Sequence, residues 1–466
     1  MGNRLPYLAL VAAGVILGVH GGEAVWAKPN LPLVRQKQVI DGLYTEDLDA
    51  AIHFQQGVLR YQRGEFARAE TEFREALRFD PLMAIAYYML GNVLIQQESV
   101  DEAIGQFQRA ISLDPSLNDA YYNLGVALFR RGALPEALQV FERSVQLNPK
   151  FSPAVYNLAL TLDALGRYQE ASQAYRQVIL LDPRNAEAHY NLALILARDG
   201  STGEAISLYN RAIEINPRFI DAHYQVGLLY ARQGQLELAR DALQQAVNLA
   251  PDNALAQYHL GLVFARLEQP AAAVGRLRDA IALDPNNAIA YQQLGAALID
   301  SGNPREAITI LQQAIRLNPD EVSNYYNLGI AYQDTNQCEQ AIEAYQDTLR
   351  RDPIFADAFF NLGVCYGELE LYDEAIATLE QAKTLFRARN QLDKVEEVDE
   401  HLQNRILPAL QRLQPPPPQP QPQPAEPSPE ESLPPSPPES SPEEADEEPP
   451  VEPVRQQPII PFFEQT

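Results

Sequence analysis

The chain has 466 residues, is 46% apolar, and sets 62 Asp and Glu against 36 Lys and Arg for a formal net charge of -26. The apolar share suffices for a large core, while the charge opposes binding to phosphate backbones, which needs a basic surface that displaces counterions. Nucleic acid is therefore not an expected partner, and the length fits two or three ordinary domains or one long array.

Met1–Arg4 offers a positive start, Leu5–Val19 is an uncharged apolar run, and Val25 and Ala27 occupy small-residue positions before Lys28. This is the layout of an export signal, 1–27, cleaved after Ala27. The apolar run is shorter than the roughly 20 residues of a spanning helix; an uncleaved N-terminal membrane anchor is the alternative. Pro6 stands where a myristoylation signal has Ser or Thr, and no Cys follows the run to carry a lipid. Either reading puts the rest of the chain outside the cytoplasm, in the periplasm or a lumen of a bacterial-type cell, exported or tethered. Residues 28–49 read as a linker.

From Ala50 the chain repeats. Pro81, Pro115, Pro149, Pro183, Pro217, Pro251, Pro285, Pro319 and Pro353 follow one another at 34-residue intervals. Most come after Asp or Asn, a helix-stop combination because proline disfavours helical geometry in the residue before it. With Ala50 as position 1, ten units run to Arg389; position 20 is Ala in all ten, and position 8 is Gly in eight, with Ala159 and Ala193 in the other two. Small residues at two fixed points predict paired helices that cross closely. Positions 4, 7, 8 and 11 form the apolar stripe of the first helix, and Phe73, Phe107, Phe141, Tyr175 and Tyr209 at position 24 fill the second. One such hairpin cannot cover its own apolar face, but stacked neighbours can, so the expected fold is an all-α solenoid.

The pattern resembles the tetratricopeptide repeat family, whose signature places a large residue at 4, Leu at 7, Gly at 8, Tyr at 11, Ala at 20, an aromatic at 24, Ala at 27 and Pro at 32. The resemblance covers 50–389 and implies a right-handed α-solenoid superhelix of ten tandem helix-turn-helix units whose first helices line the inner surface. Departures are mild: Ser144, Val178 and Thr348 stand at position 27, and Leu128 and Leu162 at position 11. The tenth unit lacks its proline and runs on through 390–413, where Leu392, Val395, Val398, Leu402 and Ile406 predict a capping helix over the last hairpin.

Away from the core stripe, positions 2, 5, 6, 9, 12 and 13 would be charged and irregular on a merely solvated face. Instead position 5 is aromatic in nine units, among them Tyr122, Tyr156, Tyr190, Tyr224 and Tyr326, and position 6 is Asn or Gln in eight, among them Asn123, Asn157, Asn191, Gln225, Asn327 and Asn361. Position 9 is Val, Leu or Ile in eight. Carboxamides both donate and accept, so a row of them suits an extended backbone of any sequence; tyrosine adds stiff contact area and the aliphatics bury partner side chains. These side chains are the expected peptide-binding groove, with proteins as partners. The alternative is that they pack against the next repeat, the Asn tying down a neighbouring helix. The resemblance adds that the asparagines look like the ladder in the repeat region of O-linked N-acetylglucosamine transferases, where it holds the substrate chain. That implication extends to Asn123, Asn157, Asn191, Asn327 and Asn361, and Gln225, His259 and Gln293 interrupt it. Family members that grip a terminal carboxylate carry Lys at position 2, where this chain has Asp119, Glu187, Asp221 and Asp357, so that mode is not expected.

No phosphate loop, nucleophile elbow or HExxH motif occurs. His53, His189 and His223 share position 4, a packing site, and equivalent positions of stacked hairpins lie too far apart to share a metal ion. No catalytic residue, metal or cofactor is expected. Cys338 at position 17 of unit 9 and Cys365 at position 10 of unit 10 approach one another when hairpins stack, a candidate disulfide outside the cytoplasm. Residues 414–466 are rich in Pro and acidic and read as a disordered tail, ending in the apolar Ile459-Ile460-Pro461-Phe462-Phe463. The expectation is a non-enzymatic scaffold that binds extended segments of other proteins during assembly of an envelope or membrane complex. The alternatives are a substrate-targeting subunit of an enzyme complex and a structural spacer.

Overall fold

The computed structural model describes residues 45–413; the segment expected to be an export signal, most of the expected linker and the segment 414–466 lie outside the described residues. It falls into two compact units, divided between Val226 and Gly227. The first unit holds α1 (Leu48–Gln62), α2 (Phe66–Phe79), α3 (Ala84–Gln96), α4 (Val100–Leu113), α5 (Asn118–Arg130), α6 (Leu134–Leu147), α7 (Ser152–Ala164), α8 (Tyr168–Leu181), α9 (Ala186–Arg198) and α10 (Thr202–Ile215). α11 (Ile220–Arg232) starts in the first unit and ends in the second. The second unit continues with α12 (Leu236–Leu249), α13 (Ala254–Arg266), α14 (Pro270–Leu283), α15 (Ala288–Asp300), α16 (Pro304–Leu317), α17 (Val322–Gln333), α18 (Cys338–Arg351), α19 (Ala356–Glu368) and α20 (Tyr372–Ala388). α21 (Leu392–His401), a π-helical turn (Leu402–Ile406) and α22 (Leu407–Leu413) close it. No strand occurs among the described residues, and successive helices pair and stack as an all-α solenoid.

The 34-residue period sets these boundaries. Position 15, between the two helices of each hairpin, has positive φ in all ten units: Gly64, Gly132, Gly166, Gly200, Gly234 and Gly302, but also Glu98, Glu268, Asn336 and Glu370. The chain must enter the left-handed region there to turn between the helices, and glycine does so without a Cβ clash. In seven repeats the second helix stops at position 31, where an Asp or Asn side chain accepts the N–H two residues on, as in Leu82 N to Asp80 Oδ1 (2.9 Å) and Ser116 N to Asp114 Oδ1 (2.9 Å). This Asx turn competes with the helix as the following proline ends it. Unit 10 has Arg387 at the proline position, and its second helix accordingly runs 17 residues where the other second helices have 14.

Within a hairpin, the small residue at position 8 meets the large one at position 24. A Cβ added to Gly125 would lie 2.5 Å from the Phe141 ring, so the close crossing requires its absence. Between hairpins, position 3 is buried Ala in repeats 2 to 8 and in repeat 10, from Ala86 to Ala358, and lets the preceding second helix approach. Beyond α20 the chain covers its own last face with Val395, Val398, Leu402 and Ile406, all buried, whereas Leu392 is exposed.

Candidate functional site

Positions 2, 5, 6, 9, 12 and 13 of each first helix make the face on which the groove was expected. Where position 24 is aromatic, the position-5 tyrosine packs on its ring: Tyr122 on Phe141 at 6.3 Å, Tyr156 on Tyr175 at 6.0 Å, Tyr190 on Tyr209 at 5.6 Å and Tyr326 on Tyr345 at 6.0 Å. Tyr122, Tyr190 and Tyr326 also meet Phe151, Phe219 and Phe355 at the end of the same repeat, at 5.1, 4.8 and 4.8 Å.

The amide at position 6 then reaches back to the tyrosine of the preceding repeat. Asn157 Nδ2 donates to the Tyr122 hydroxyl (3.3 Å), Asn191 to Tyr156 (3.2 Å) and Asn361 to Tyr326 (3.3 Å), always 35 residues apart. Asn123 Nδ2 lies 3.4 Å from the Tyr88 hydroxyl and donates to Asn92 Oδ1 at 2.6 Å. Burial pushes the pKa of Tyr122, Tyr156, Tyr190 and Tyr326 upward, with the carboxylates of Glu187, Asp221 and Asp357 adding to it for the last three. These hydroxyls stay protonated, and those of Tyr122, Tyr156 and Tyr326 accept the amide as neutral groups.

The structure thus brings the Tyr-Asn pairs together as ties between successive repeats, the arrangement weighed as the alternative to a groove. Asn191 is 2% exposed and Asn361 4%. Asn157, Tyr122, Tyr156, Tyr224 and Gln225 are half-buried and reach the surface. Asn157 Nδ2 also donates to Pro153 O (2.9 Å), and its Oδ1 meets no donor among the described residues.

One tie is missing. Position 5 of unit 8 is Gln292, whose Nε2 donates to Ser323 Oγ (2.6 Å), and Asn327, fully buried above it, has no partner at either amide atom. On the surface of the stripe remain the half-buried aliphatics of position 9, Val126, Leu160, Leu194, Leu228 and Val364, with exposed Glu187, Asp221, Leu255 and Ile289 at position 2.

Position 4 has a role that periodicity alone did not show. His189 Nε2, His223 Nε2, Gln257 Nε2 and the Tyr325 hydroxyl all sit 3.0 to 3.2 Å from the carbonyl oxygen of the preceding repeat's proline, Pro183, Pro217, Pro251 and Pro319. The visible signal was a side chain with a polar end at 4, six residues after the proline. Among the described residues no three His, Cys, Asp or Glu side chains cluster as metal ligands, and no helix is long and apolar enough to cross a membrane. Cys338 and Cys365 are buried free thiols of one core cluster.

Family models described as tetratricopeptide repeat match 54–118, 101–150, 156–218, 208–241, 265–329 and 326–390, and one described as TPR repeat matches 227–268. The chain belongs to the tetratricopeptide repeat family. Among solved structures, this tetratricopeptide protein is similar to YrrB, described as a TPR protein with an unusual peptide-binding site (26% identity, 40% of this chain and 96% of that one, TM-score 0.39). It is also similar to MamA (29%, 36% and 97%, 0.35) and to PilF of Pseudomonas aeruginosa (18%, 48% and 97%, 0.38). No curated protein matches the chain in sequence.

Proposed function

We propose that the array is a protein-interaction scaffold that holds an extended segment of another protein along the stripe of its first helices, in assembly of an envelope or membrane complex outside the cytoplasm. The observation that carries this is the run of position-9 aliphatics Val126, Leu160 and Leu194, left half-buried in three successive repeats beside Tyr-Asn ties that join those repeats. Apolar surface that recurs at one repeat position is an interaction surface more than a solvated one. A partner chain laid across Val126, Leu160 and Leu194 buries its side chains there, and its backbone N–H groups meet acceptors such as Asn157 Oδ1. The ties serve this function by fixing the spacing of the aliphatics, so the partner meets a preorganised surface.

The test is crosslinking in the native compartment, with partners identified by mass spectrometry, in the natural chain and in Leu160→Arg with Leu194→Arg. Both positions are surface-facing, so circular dichroism and the melting temperature should stay near those of the natural chain. Loss of the captured partners from the doubly substituted chain is the expected result; capture of the same partners at undiminished yield would refute the reading.

A further inference from the structure

The chain has only two cysteines, and the fold places both at one repeat-to-repeat junction. Cys338 is the first residue of α18, the second helix of repeat 9, and Cys365 lies on α19, the first helix of repeat 10. Cys338 Sγ donates to Glu368 Oε2 at 2.8 Å. Glu368 is three residues beyond Cys365 and so lies on the same face of α19, which sets the Cys338 sulfur against the Cys365 side chain. The same positions in other repeats hold plain packing residues, Val100 with Ala127 and Pro304 with Ala331. Cys365 is fully buried, whereas Cys338 is 4% exposed and lies under the exposed Glu368.

We propose that Cys338 and Cys365 form a redox-responsive clasp: oxidation by a low-molecular-weight disulfide joins repeat 9 covalently to repeat 10 and locks the C-terminal end of the array. The Cys338 thiol passes its proton to the Glu368 carboxylate, and the thiolate attacks one sulfur of the oxidant, here glutathione disulfide, expelling one glutathione thiolate that takes up a proton. Cys365 then loses its proton and attacks the Cys338 sulfur of the mixed disulfide, forming the Cys338–Cys365 bond and releasing the second glutathione. Two protein thiols are oxidised by two electrons, and one glutathione disulfide becomes two glutathiones. The hydrogen bond with Cys338, together with burial, pushes the Cys365 thiol well up, so the attack begins at Cys338, which alone of the two reaches the surface. Repeat 10 has a full hairpin on one side and only the short closing helices on the other; a covalent link at this junction acts on the opening of that end.

The experiment uses the full chain equilibrated in glutathione buffers of increasing oxidised fraction, then alkylated, digested without reduction and mapped. A peptide joining Cys338 to Cys365, two hydrogens lighter than its parts, is expected, together with at least tenfold slower amide exchange in α19 and α20. Cys338→Ser, which keeps the hydrogen bond to Glu368, should show neither change while folding as the natural chain does. Two thiols still open to alkylation after oxidation, a mixed glutathione adduct that goes no further, or a joined peptide with unaltered exchange would each overturn the clasp.

Discussion

At the scale of single residues, the tyrosine hydroxyl at position 5 and the carboxamide at position 6 of the next repeat are a matched pair, and either without the other is a buried polar group without a partner. Tyr156→Phe should therefore leave Asn191 Nδ2 without its acceptor and lower stability by about 1–2 kcal/mol in a denaturant titration. The junction between repeats 8 and 9 reverses the sign. Asn327 is fully buried with both amide atoms unmatched, so Asn327→Leu should raise stability by about 1 kcal/mol, whereas Asn361→Leu, which takes the donor from Tyr326, should lower it by a similar amount. His259 supplies a pH signature. Burial, with Arg232 nearby, holds it down at about 4 against an ordinary 6.5. A base whose folded pKa is depressed stabilises the fold fully above its unfolded pKa and loses that contribution as pH falls from 6.5 towards 4. His259→Gln should flatten the fall in stability across that window, relative to the natural chain, by roughly 3 kcal/mol; parallel curves for the two proteins would contradict it.

At the scale of the helix, the left-handed turn at position 15 is the site where sequence and geometry disagree most. Glu98 and Glu268 adopt a positive φ that six sister units give to glycine. Glu98→Gly and Glu268→Gly should each raise stability by about 1 kcal/mol, since an L side chain there costs about that much; Gly132→Ala should lower it, and thermal melts separate the two cases. This scale also shows what the sequence could and could not carry. The proline period, the Ala at 20 and the Gly at 8 located every hairpin because each answers to a contact within one repeat, as Gly125 does to Phe141. The fate of Tyr156 and Asn191 was not legible in the same way. Periodicity reports the angle of a side chain about its own helix axis, and a solenoid covers two sides of that helix, one by its own partner and one by the adjoining repeat. A face opposite the hairpin core therefore looked open when its Tyr-Asn layer was already filled from the neighbouring repeat. The exception at Gln292 was the available clue, for Tyr at 5 and Asn at 6 make a pair only across a 35-residue step.

At the scale of the whole molecule, 34-residue units without insertion make each junction a repeat of the last, so stability is close to a sum of hairpins and the contacts between neighbours. In the proposed scaffold, partner binding falls to the position-9 aliphatics that the junctions leave on the surface. The step between repeats 8 and 9, where Asn327 is buried with neither amide atom partnered, gives this series a weak link within the second unit. Heat or denaturant should part the array there first, letting repeats 9 and 10 and the closing helices melt as one block while the hairpins before it persist. A molecule built from equal steps would thereby lose its far end in a single event, with Gln292 marking where the fraying stops.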